Sequence, residues 1–257
     1  HHDIAALLIP HGANVNAADQ YGYTPLHSAS HQGLHDIAAL LISNGADVNA
    51  GSKDGYTSLH SASEQGHHDI AALLISHGAN VNAADKDGFT PLHSASRCGH
   101  QDIADLLISK GANVNPANKD GFTPLSIASE QGHQDMAALL ISNGADVNAA
   151  SKDGYTPLHI ASDHGHHDIA ALLISNGADV NAVSKDGYTA LHIAFQNDKL
   201  EVVKLLMKYC AEIHEVLVNH PTILELLAQK VASIEADIFA KEELTKEDIA
   251  VFLFLRN

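Results

Sequence analysis

The sequence predicts an all-α solenoid of stacked helix pairs, and three observations predict it. The string TPLH or a close variant begins at Thr24, Thr57, Thr90, Thr123, Thr156 and Thr189, always 33 residues apart, and self-similarity at a fixed period marks a repeat architecture. Each unit holds two short apolar stretches, the first opened by threonine, in most units with proline after it, and in all but the last unit each is closed by glycine. Aromatic residues make up only 5% of the chain and tryptophan is absent. The core must therefore be filled by Ala, Leu, Ile and Val, which suits closely packed helices better than a β-sandwich.

One unit reads DGYTPLHIASDHGHHDIAALLISNGADVNAVSK from Asp153 to Lys185. Thr156 is expected to be an N-cap whose hydroxyl accepts from first-turn amides, with Pro157 at the first helical position, where its missing N–H costs nothing. The first helix should run to Gly165. A second helix covers HDIAALLISN, with Asp168 facing the positive end of its dipole. Gly177 should stop it in the left-handed conformation, as Gly45, Gly78, Gly111 and Gly144 do in other units. The polar segment ADVNAVSKDGY reads as an extended arm with a turn near Lys185, Asp186 and Gly187. A lone pair cannot bury its Ile169, Leu172 and Leu173 face, so the units must stack.

The TPLH start, the GHHDIAALLISNGADVNA continuation and the 33-residue period resemble the ankyrin repeat family over residues 1–213. The resemblance implies an ankyrin-repeat solenoid of helix-turn-helix units with β-hairpin-like finger turns, whose first helices and fingers line a concave protein-binding face. Six units start near residues 19, 52, 85, 118, 151 and 184. Before them HHDIAALLIPHGANVNAAD aligns with the segment at His67, so His1 and His2 read as repeat rather than tag. This N-terminal half repeat lacks its first helix, as in a fragment of a longer array or one without its N-terminal cap.

The last unit drifts, with Cys210 in place of the stopping glycine. Beyond it Pro221 and Thr222 can open a helix over TILELLAQKVASIEADIF, and Thr245 with Asp248 forms a capping signature for EDIAVFLFLR. Residues 214–257 are expected to be C-terminal capping helices over the last repeat. The competing reading is a docking segment.

Thirty-one acidic residues against fourteen basic ones give a formal charge of −17, which repels phosphate backbones and anionic membranes. No nucleic-acid or membrane partner is expected. The apolar runs Ile103–Ile108 and Ile249–Leu255 are too short to span a bilayer, no signal peptide opens the chain, and two cysteines make no disulfide framework; the expected location is cytoplasmic. Twenty histidines invite a metal reading. Equivalent positions in neighbouring units should lie roughly 8–10 Å apart, too far to share a zinc ion with ligands about 2 Å away, so neither metal nor cofactor is expected. His27, His60, His93, His159 and His192 are expected to bond locally at helix starts, as the resemblance implies; Ser126 stands in that place in one unit. No activity is expected either, because every Ser, His and Asp belongs to the repeat pattern. Cys98 beside Arg97 could have a lowered pKa, although a solvated thiol is the simpler reading. Asn49, Asn82, Asn115, Asn148 and Asn181 resemble asparagines hydroxylated in animal ankyrin repeats; a structural turn role is the default.

Positions that vary against this frame carry the functional expectation. After each first helix stand His31 Gln32, Glu64 Gln65, Arg97 Cys98, Glu130 Gln131, Asp163 His164 and Gln196 Asn197, which the resemblance places on the concave face. Varied chemistry on a fixed frame suits a binding surface, and drift at any solvated surface looks the same. Tyr23, Tyr56, Phe89, Phe122, Tyr155 and Tyr188 recur on the fingers beside a lysine row; they are interface anchors, or rings that hold the turns. The candidate partner-binding set is Tyr56, Glu64, Phe89, Arg97, Phe122, Glu130, Tyr155 and Asp163. The expected function is a non-catalytic, monomeric scaffold for another protein. The alternative is an adaptor or targeting module of a larger protein, such as a ubiquitin ligase adaptor, a multidomain enzyme or a microbial effector.

Overall fold

A computed structural model describes residues 7–209. The start of the half repeat, Cys210 and the expected cap over 214–257 lie outside the described residues. After a 3₁₀ turn at Ile9–His11, six helix pairs follow. They are α1 (Pro25–His31) with α2 (His35–Ser43), α3 (Ser58–Gln65) with α4 (His68–Ser76), and α5 (Pro91–Cys98) with α6 (Gln101–Ser109). Then come α7 (Pro124–Gln131) with α8 (Gln134–Ser142), α9 (Pro157–His164) with α10 (His167–Ser175), and α11 (Ala190–Gln196) with α12 (Leu200–Tyr209). The described residues form no strand; the nearest approach is a bridge between Gly51 and Thr57.

The helix boundaries follow their caps. Every first helix starts after an extended threonine, from Thr24 to Thr189. The threonine does not work alone. The Thr90 amide donates to His93 Nδ1 at 3.0 Å, and its hydroxyl lies 3.0 Å from the same nitrogen, so histidine fills the acceptor role usually held by Glu in a capping box. Where Ser126 replaces histidine, the expected bond appears in simple form: the Ser126 amide donates to Thr123 Oγ1 at 3.3 Å.

Glycine ends both helices of the pair. Gly132 adopts φ +76°, and a Cβ there would meet His166 Cε1 at 2.7 Å, so both backbone and space exclude a side chain. In the last unit Asp198 takes that place at φ 57°, a conformation aspartate tolerates better than most residues.

The two helix layers differ in girth. First helices bury small residues such as Ala62, Ser63, Ala95 and Ser96, whereas second helices bury Ile70, Leu74, Ile103 and Leu107. Successive first helices accordingly pack against one another more extensively than successive second helices do. Closer spacing on one side curves the stack, with first helices and fingers on the inner side. The apolar core runs continuously from Leu26 to Leu206.

Polar groups also tie each unit to the next. Asn82 Nδ2 donates to the Gly111 carbonyl at 3.1 Å, and its Oδ1 accepts from the Asn113 amide at 2.7 Å. Asn16, Asn49, Asn115 and Asn148 make the same two-way clamp. The fingers join through backbone bonds, the Lys119 amide donating to the Asp87 carbonyl and the Lys152 amide to the Asp120 carbonyl, both at 2.7 Å.

Candidate functional site

In two successive units the finger aromatic and the variable residue eight positions later meet. The Tyr56 hydroxyl donates to Glu64 Oε2 at 2.6 Å. Burial, and then this bond to a carboxylate, pushes the Tyr56 pKa up. One unit on, the Arg97 guanidinium lies over the Phe89 ring, 4.8 Å from its centroid, a cation–π contact. Arg97 is exposed, and among the described residues no carboxylate pairs with it.

The rings have a second neighbour. Phe89 stands edge-on to His93 at 5.4 Å, Tyr155 edge-on to His159 at 5.7 Å, and Tyr56 tilts onto His60 at 4.9 Å. Half-buried Phe122 has Ser126 where its neighbours have imidazole. Tyr56, Phe89, Phe122 and Tyr155 are all half-buried. Glu130 and Asp163 are exposed; Asp163 Oδ1 accepts a hydrogen bond from Asn197 Nδ2.

What holds this row in place is backbone chemistry from two sets of histidines. The first set reaches forward: His60 Nε2 lies 3.0 Å from the Phe89 carbonyl, and His93 Nε2 lies 3.1 Å from that of Phe122. Because Nδ1 already accepts from a threonine amide, Nε2 must carry the proton and donate. Burial holds the pKa values of His27, His60, His93 and His159 below the usual histidine range, His93 at about 4.

The second set reaches backward. His100, His133 and His166 place Nε2 3.1 Å from the carbonyls of Glu64, Arg97 and Glu130. Thus Glu64, Arg97 and Glu130 are each pinned through the main-chain carbonyl by the following unit. Sequence reading missed this set, although the 33-residue recurrence of His67, His100, His133 and His166 was its signal.

Cys98 corrects one expectation. It ends α5 rather than following it, and its pKa is raised: burial dominates, Glu64 adds to it, and Arg97 only partly offsets both. Among the described residues, no three His, Cys, Asp or Glu side chains are grouped to hold a metal ion, and no helix is long and apolar enough to cross a membrane.

The family description "Ankyrin repeats (3 copies)" matches five overlapping stretches, residues 1–52, 49–118, 84–151, 114–184 and 146–216. No curated relative matches the chain.

Proposed function

The chain belongs to the ankyrin repeat family, whose members are generally protein–protein interaction modules, and from that premise we propose that it is a non-catalytic scaffold holding one partner protein on its inner face. The observation that carries the reading is the division of labour along the row Glu64, Arg97, Glu130: carbonyls clamped by the next unit's histidine, side chains alternating in charge from unit to unit. A surface fixed in position and varied in chemistry can select a partner without disturbing the stack. Tyr56, Phe89, Phe122 and Tyr155 edge this row, and Asp163 extends it.

An affinity capture from native cells tests the reading, comparing the whole chain with the Arg97→Ala and Glu130→Ala variants. Partners retained by the wild type and lost by both variants support the inner face. Partners retained by all three, at unchanged recovery, move the binding site to the outer helices or to residues 214–257.

A further inference from the structure

The inner face carries a charge pattern whose spacing limits what conformation a ligand can have. Along three successive units stand Glu64, Arg97 and Glu130, one charge per unit, in the order minus, plus, minus. Each follows a finger aromatic by eight positions: Tyr56, Phe89 and Phe122. Stacked helices place equivalent positions roughly 8–10 Å apart. A segment that reads this row side chain by side chain must return to the same face at that interval.

Only one regular backbone does so closely. A polyproline II helix has three residues per turn and a rise of about 3.1 Å, so every third side chain faces the same way about 9 Å further on. A β-strand reverses faces every residue, which puts its third neighbour on the wrong side. An α-helix returns to one face after seven residues and about 10.5 Å, overshooting further at each unit. The row of half-buried aromatics Tyr56, Phe89 and Phe122 agrees, since proline-rich segments dock in aromatic-lined grooves.

We infer that the inner face binds a polyproline II segment bearing basic, acidic and basic side chains at three-residue intervals, the acidic one on Arg97 and the basic ones on Glu64 and Glu130. This rests on the inner-face reading above and adds register and conformation to it. Arg97 has its guanidinium held over Phe89, and among the described residues no carboxylate pairs with it. Glu64 is oriented by the Tyr56 hydroxyl, which occupies only one of its two oxygens. Glu130 is open to solvent.

The pattern is palindromic in charge, so the test needs no assumption about direction. The full chain is titrated at low salt with the peptide Lys-Pro-Pro-Glu-Pro-Pro-Lys, and binding is followed by the amide resonances of residues 56–130. Comparators are its charge-reversed form Glu-Pro-Pro-Lys-Pro-Pro-Glu, the respaced Lys-Pro-Glu-Pro-Lys, and a helical peptide with the same charges seven residues apart. The matched peptide should bind about tenfold more tightly than the reversed one, a preference of the size expected for a few exposed ion pairs. Arg97→Glu should transfer the preference to Lys-Pro-Pro-Lys-Pro-Pro-Lys. Equal or tighter binding of the reversed, respaced or helical peptide, or binding that leaves residues 56–130 unperturbed, overturns the register. If that happens while Arg97→Ala and Glu130→Ala still lose the native partner, the inner-face function stands and only the polyproline II reading falls.

Discussion

His93 Nε2 lies 3.1 Å from the carbonyl oxygen of Phe122 in the following unit, while its Nδ1 accepts from the Thr90 amide of its own. A single neutral imidazole thus caps one helix and fixes the next finger. Protonation would place a hydrogen on Nδ1 facing the amide that donates to it.

Acid should therefore loosen the stack. The folded pKa of His93 lies near 4 against 6.5 for the free side chain. Between those values the unfolded chain binds the extra proton, so stability is fully present above pH 6.5 and falls as pH drops toward 4. The slope is at most about 1.4 kcal/mol per pH unit for each such histidine. Urea unfolding at pH 7.5, 6 and 5 measures it, and the His93→Gln variant, weaker at neutral pH, should show a shallower dependence. An equal dependence in both proteins would remove His93 from the explanation.

Ser126→His should stabilise the protein. Thr156, Pro157, Leu158, His159 and Ile160 form the same frame as Thr123, Pro124, Leu125, Ser126 and Ile127, and there the imidazole reaches Tyr188 at 3.1 Å. The new side chain should bond the Tyr155 carbonyl and add about 1 kcal/mol. A melting temperature at or below that of the wild type would show that the fourth unit cannot seat the ring.

Asn82→Ala should cost about 1–2 kcal/mol, because it removes two hydrogen bonds that cross one boundary. Native-state hydrogen exchange should show faster opening of Asn113, whose amide the Asn82 side chain holds. Unaltered exchange at that amide would mean solvent replaces the clamp at no cost.

Ser96→Ala should be neutral or stabilising by up to about 1 kcal/mol. Ser30, Ser63, Ser96, Ser129 and Ser162 bury hydroxyls without a hydrogen-bond partner, and alanine avoids that desolvation while favouring helix. A loss of stability above 1 kcal/mol would reveal a partner for the hydroxyl.

Arg97→Ala and Phe89→Ala should separate binding from support. Arg97 is exposed, so its loss should leave the melting temperature nearly unchanged and weaken partner binding by about 1–2 kcal/mol. Phe89 packs on His93, so its loss should lower stability as well as affinity. Calorimetry on both variants, followed by binding to the captured partner, reads the two effects; a stability loss as large for Arg97→Ala as for Phe89→Ala would contradict the assignment.

What the sequence made legible was everything local. Thr156 with Pro157 marked a helix start, Gly177 marked a stop, and the spacing of Ile169 and Leu173 marked the buried stripe. The roles that escaped it depend on partners in another unit. His100 finds its acceptor 36 residues back and Asn82 its donor 31 residues ahead, distances at which pairing preferences leave no trace. The same gap hides the lowered pKa values of His27, His60, His93 and His159, since the burial that causes them comes from neighbouring units. The aromatic row was readable as recurring, but its contact with imidazole needed coordinates.

The clamps span constant offsets from one unit to the next, and this has a consequence for heredity. Excising or duplicating 33 residues brings like atoms opposite like atoms, so the new junction forms the same bonds as the old one. Such an array can lengthen or shorten by whole-unit recombination without inventing an interface. At the join after Ser126, a histidine-bearing neighbour copied over it would restore the forward bond that His60, His93 and His159 make.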